Sequence, residues 1–227
     1  MRARVHSTIL FVGALGCGTE PKSDRSEACT GEASPGSIAE MVDHINTLPL
    51  PVDVPCLLDS LARPLQVELT DNPISAQPAD GPDSPRMFFF LGDLTMSIVP
   101  SGPGSHVIEF GEDIGGTLSL KGEIEVPVTE TLSQDAPYVR IEHEVYGTVC
   151  AVCHIEQESH PSGGMASVAI RPTERSLVPL SNLRAVAMDC APDTRHGRCG
   201  VLVAMFEGSV EHHPFSIDLP TILDLTE

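Results

Sequence analysis

Between residues 65 and 149 the apolar side chains stop recurring at three- and four-residue spacing and fall on every second position, a period that places them on one face only of an extended strand. Over residues 117–128, Leu118, Leu120, Ile124, Val126 and Val128 are apolar while Thr117, Ser119, Lys121, Glu123 and Glu125 are polar. The spacing predicts a sheet with one buried face and one face toward water. Leu94, Met96 and Ile98 alternate with Asp93, Thr95 and Ser97, and residues 107–110 supply another short strand. Turn residues recur at Gly81-Pro82, Gly102 to Gly104, Gly115-Gly116 and Asp135 to Pro137. Short strands at such intervals predict an antiparallel β-sandwich or open barrel. The alternation continues through residues 138–149, which reads as a strand with Val139, Ile141, His143, Val145 and Val149 on the buried face.

Helical periodicity flanks this region, so the fold class is α+β. Ile38, Met41, Val42, Ile45 and Leu48 share one face of a helix over residues 37–48, opened by a capping box of Ser37 and Glu40 and stopped by Pro49 and Pro51. A second short helix is expected over 56–62. After a loop at 156–164 and a strand-like 165–171, two helices fill 180–207: one with Leu183, Val186, Ala187 and Cys190 inward, the other with Cys199, Leu202, Val203 and Phe206 inward. Residues 37–227 thus read as one globular domain.

The N-terminus carries Arg2 and Arg4, then an apolar run from Thr8 to Leu15, then Gly16-Cys17. That run is about half the ~20 residues a spanning helix needs, so 1–16 reads as an export signal. The end of it, Ala14-Leu15-Gly16-Cys17, resembles the lipobox of bacterial lipoproteins, with Ala14 where that family usually has leucine. The resemblance implies lipidation of Cys17, a flexible tether over 17–36 and anchoring to the bacterial cell envelope. Residues 48–65 (LPLPVDVPCLLDSLARPL) and 75–91 (SAQPADGPDSPRMFFFL) also resemble segments of exported bacterial proteins of unassigned function, which implies no activity.

Seven cysteines cannot all pair with one another. With Cys17 lipidated, six remain, an even set suited to an oxidising compartment. Cys29 with Cys56 and Cys190 with Cys199 are the expected bridges, the first tying the tether to the first helices and the second closing the helical hairpin. The formal charge of −19 excludes a nucleic-acid footprint and calls for any electrostatically steered partner to present a basic patch.

The remaining pair lies in Cys150-Ala151-Val152-Cys153-His154, which matches the c-type haem attachment signature Cys-x-x-Cys-His. That resemblance implies thioether bonds from Cys150 and Cys153 to the two vinyl groups of one haem, with His154 as an iron ligand and Met165, His160 or His143 as distal candidates. It extends over five residues, and unlike class I cytochromes c the motif follows a strand more than halfway along the chain. Two other readings stay open: a local Cys150–Cys153 disulfide or buried thiol pair, and a zinc site of Cys150, Cys153, His154 and His160. Glu211-His212-His213 is a weaker metal candidate. No Gly-x-Ser-x-Gly, His-Glu-x-x-His, phosphate-loop or dinucleotide motif is present. The sequence therefore points to electron transfer or redox or gas sensing with a redox partner, without turnover of a metabolite. The competing reading is a surface lipoprotein, a binding or scaffold module without haem and held by three disulfides.

Overall fold

A computed structural model describes residues 29–154 and 157–225 of the chain. The expected signal segment, Cys17 and the start of the tether lie outside the described residues. Helix α1 (Ile38–Ile45) begins where its capping residues place it: the Ser37 hydroxyl accepts from the Glu40 N–H at 3.2 Å, and the Glu40 carboxylate accepts from the Gly36 N–H at 2.7 Å. Helix α2 (Val54–Asp59) is capped by the Asp53 carboxylate, which accepts from the Cys56 N–H at 2.9 Å.

The strands β1 (Leu65–Thr70), β2 (Arg86–Leu91), β3 (Leu94–Ile98), β4 (Val107–Asp113) and β5 (Leu118–Glu125) pair antiparallel in sequence order. Farther along the chain come α3 (Ala136–Ile141), the small hairpin β6 (Glu142–His143) and β7 (Gly147–Thr148), then β8 (Glu158–Ser159), β9 (Met165–Val168), α4 (Leu180–Met188), α5 (Gly197–Glu207) and β10 (Val210–His212). The main sheet has eight strands in the order β10-β1-β2-β3-β4-β5-β9-β8, with β10 alone parallel to its neighbour. It is open at β10 and β8. The protein is thus an α+β fold with a sheet core and flanking helices.

One sheet face carries Val67, Leu69, Met87, Phe89, Leu94, Met96, Ile98, Ile108, Leu120 and Ile124, all nearly inaccessible, in one cluster with the inner faces of α1, α2, α4 and α5. Each such side chain contributes roughly 1.5–3 kcal/mol by burial. The helix side is pinned by polar contacts at element ends. Glu112 of β4 accepts from the Ile38 N–H at 2.8 Å, and Arg63 donates to the terminal carbonyls of α5 at Met205 (2.7 Å) and Ala204 (2.8 Å). In α5 the inward residues are Val201, Leu202, Ala204 and Met205, with Val203 and Phe206 only partly buried. The helix is apolar around most of its girth, so of the expected inward set Leu202 is fully buried while Cys199, Val203 and Phe206 pack against the core only partly.

Two expectations are corrected. Residues 138–149 form no long strand: Asp135 and Pro137 open a helical turn whose Tyr138 and Ile141, three apart, turn inward, while Val139 is 54% exposed and His143 is exposed in the hairpin that follows. Gly122 permits this, because a Cβ there would lie 2.9 Å from the Pro137 Cβ, so any larger residue would push α3 off β5. Second, Ser119 and Lys121 do not face water; both are buried on the other face of the sheet. That face is covered by residues 148–154 and 213–222, as Phe215 packs edge-on against Phe88 and Phe90 with ring centres 4.9 Å away in each case.

Cys29–Cys56 and Cys190–Cys199 are disulfides, and Cys150 and Cys153 are unpaired thiols. Two structural bridges fit an exported chain in an oxidising compartment. Among the described residues no helix is long and apolar enough to cross a membrane. The bridges span sequence separations of 27 and 9, so loop-closure entropy makes the first more stabilising by about 1 kcal/mol. Urea unfolding of the double serine variants is expected to show a loss of ~2–4 kcal/mol for C29S/C56S and a smaller loss for C190S/C199S. The reverse order would mean that strain or residual unfolded-state structure outweighs chain entropy.

Candidate functional site

The segment after β7 folds into a single 3₁₀ turn, Val149–Val152, because its polar groups close locally. Thr148 accepts from the Cys150 N–H at 3.2 Å, and the Cys150 carbonyl accepts from both the Cys153 N–H (3.1 Å) and the His154 N–H (2.9 Å). The Gln157 amide, hydrogen-bonded to the Thr148 hydroxyl at 2.6 Å, ties the two ends of the segment together. The turn sets Cys150 and Cys153 three residues apart, and both line one cavity together with His154.

That cavity has a volume of about 450 Å3 and lies between the polar face of the sheet and its two covering segments. The size falls within the range of small-molecule and cofactor sites. Its floor is β2, β3, β4 and β5: Arg86, Phe88, Phe90, Ser97, Glu109, Ser119 and Lys121. Arg86 pairs with Glu109 at 2.5 Å, donates to the Ser97 hydroxyl at 2.9 Å and lies 4.8 Å over the Phe88 ring. Lys121 donates to the Ser119 hydroxyl.

Burial dominates the electrostatics. His154 Nδ1 lies 2.7 Å from the Val168 carbonyl of β9. Its pKa is pushed down to about 3, first by burial and then by the nearby Lys121 charge, so the ring is neutral. A carbonyl can only accept, so the single ring proton sits on Nδ1 and Nε2 keeps its lone pair. Burial, with Glu109 adding to it, pushes the Cys150 thiol up to about 11, which makes it a neutral thiol at physiological pH. Lys121 is pushed down to about 8, again mainly by burial.

The neutral His154 gives the ligand-free chain a pH dependence of definite sign. Its folded pKa of about 3 lies below the ordinary 6.5, so the unfolded chain takes up the proton first. The contribution to stability is full above pH 6.5 and is lost as pH falls toward about 3. Half-buried His44, also lowered by burial, acts with the same sign. From pH 6.5 to about 5, unfolding in urea is expected to lose ~1–2 kcal/mol, and His154→Gln is expected to remove most of that loss. An unchanged slope in the variant would mean that His154 is not held neutral.

The three distal candidates lie elsewhere. Met165 and His143 line a separate pocket beside Tyr138, and His160 Nδ1 is 2.7 Å from the Ser162 hydroxyl. The zinc set is not assembled either: among the described residues no group of three or more His, Cys, Asp or Glu converges as a bare-ion site. The histidine pair near the C-terminus is split. His212 Nε2 is 3.1 Å from Glu68, whereas His213 lines the cavity with its ring centre 4.7 Å from that of Phe90. Arg86, Glu109 and Lys121 escape a sequence reading because alternation marks them as polar, and a polar position on a strand ordinarily means solvent. The one signal was Lys121 itself, the sole lysine of the chain besides Lys22.

Comparison of the chain with protein-family models, with curated proteins and with solved structures gives no match.

Proposed function

We propose that the chain is an exported protein that carries one haem, bound covalently through Cys150 and Cys153 with His154 Nε2 on the iron. The observation that carries this reading is the state of the six cysteines at 29 and beyond: four are bridged, while the two of the Cys-x-x-Cys-His motif stay apart and line the same cavity as His154. The donor set fits the group. Two unbridged thiols on one turn suit addition to two vinyl groups, and a neutral imidazole anchored through Nδ1 presents a lone pair on Nε2. A haem held there supplies a one-electron couple and an iron centre for a diatomic gas.

The protein residues would fix and tune it. Val168 orients the His154 ring, Thr148 sets the turn that aims the thiols, and Phe88, Phe90 and Phe215 keep water from one side of the cavity. The acidic surface suits a redox partner with a basic patch. Cys17 would serve as the lipid anchor, holding the protein at the cell envelope. Expression in a host able to mature cytochromes c, followed by a denaturing gel stained for haem peroxidase, tests the reading. A stained band at the chain's own size is expected; a colourless band refutes covalent haem and favours the haem-free scaffold.

A further inference from the structure

Lys121 is only 9% exposed, and its sole hydrogen-bond partner among the described residues is the Ser119 hydroxyl. An ammonium has three donors, and burying a charge without a close counterion is costly unless something else compensates it. No acid around the cavity forms a close ion pair with Lys121; Glu109 acts on it only at longer range. Glu109 is committed to Arg86, and its second oxygen, Oε1, is buried without a hydrogen-bond partner. Glu123 is held by Arg140 at 3.0 Å, Asp113 accepts from the Gly115 N–H, and Asp93 lines the cavity without an ion pair to Lys121. Arg86 and Glu109 form an ion pair with each other, which leaves Lys121 as the buried cation of the cavity floor that has no ion-pair partner among the described residues. Phe88, Phe90 and Phe215 provide an apolar wall in the same cavity, and Arg171 a second cation.

We infer that Lys121 is the recognition group for a carboxylate carried on an apolar body, bound in this cavity with the carboxylate on the lysine and the apolar part against the phenylalanines. Two sources share that chemistry: the propionates of a covalently bound haem, in which case the inference rests on the reading above, and a free alkyl carboxylate, in which case it stands without haem. A lysine kept for a ligand is a liability to the empty fold.

The test uses the full exported chain produced with and without cytochrome c maturation, as wild type, Lys121→Met and Lys121→Arg. In urea the haem-free Lys121→Met protein is expected to be more stable than wild type; a less stable one would make Lys121 structural and overturn the inference. Calorimetric titration of the haem-free protein with decanoate, and with decanol as the uncharged control, decides the free-ligand source. Decanoate binding that falls about ten- to hundredfold in Lys121→Met and returns in Lys121→Arg, with no decanol binding, supports it. In the matured protein the pH profile of the Soret band reports propionate ionisation, and a profile shifted by Lys121→Met and restored by Lys121→Arg supports the haem source. Decanoate binding indifferent to Lys121, or neither decanoate binding nor a Lys121-dependent Soret profile, overturns the inference. If the matured protein is colourless, the haem reading alone has failed and the decanoate arm decides this one.

Discussion

Replacing Cys150 and Cys153 together by serine is expected to abolish haem staining while leaving far-UV circular dichroism and both remaining disulfides unchanged, because neither cysteine is bridged and the turn that carries them closes on Thr148 and on its own carbonyl. Each single serine variant keeps one thioether and is expected to retain partial staining. His154→Ala should behave differently: the thioethers remain, so the stain survives, but the iron loses its nitrogen ligand and the visible spectrum changes. Staining that persists in the double variant would mean that haem, if bound at all, is held elsewhere. Loss of both disulfides or of secondary structure in that variant would mean that the thiols are structural.

Phe89→Ala should cost ~3–5 kcal/mol in urea unfolding, the largest stability effect of a single substitution in the sheet. Phe89 is fully buried on the helix-facing side, register-paired with Val67 on β1 and Met96 on β3. Its neighbours Phe88 and Phe90 point to the opposite face, where they are partly buried against Phe215 and line the cavity. Alanine at 88 or 90 is therefore expected to cost less in stability and more in ligand retention. A Phe90→Ala variant as unstable as Phe89→Ala would mean that the cavity face is part of the packed core.

The three adjacent phenylalanines also show what a sequence can and cannot reveal. Residues 87–91 are apolar throughout, so no alternation in the sequence marks Phe89 as the helix-facing one, whereas alternation does separate Leu120 and Ile124 from Ser119 and Lys121. Helix starts at Ser37 and the bridges Cys29–Cys56 and Cys190–Cys199 were equally legible, since capping and pairing are local or nearly so. Alternation cannot say what covers a polar sheet face. Here the covers, residues 148–154 and 213–222, lie far along the chain from β2 and β4, and only tertiary packing brings them over Lys121. The stretch 138–149 failed for a different reason. Val139, Ile141 and Val145 mimic a strand, yet Tyr138 and Ile141 also satisfy a helical spacing, and Pro137 together with the room left by Gly122 decides between them. Of the site, the motif was visible and its company of Arg86, Glu109 and Lys121 was not.

The most direct measurement is the mass of the tryptic peptide 141–175, which contains Cys150, Cys153 and His154 and no other cysteine. From protein matured in a host competent for cytochrome c, that peptide is expected to be heavier by one haem and to resist thiol alkylation. A peptide with two alkylatable thiols, or one lighter by two hydrogens through a Cys150–Cys153 bond, would contradict covalent haem attachment.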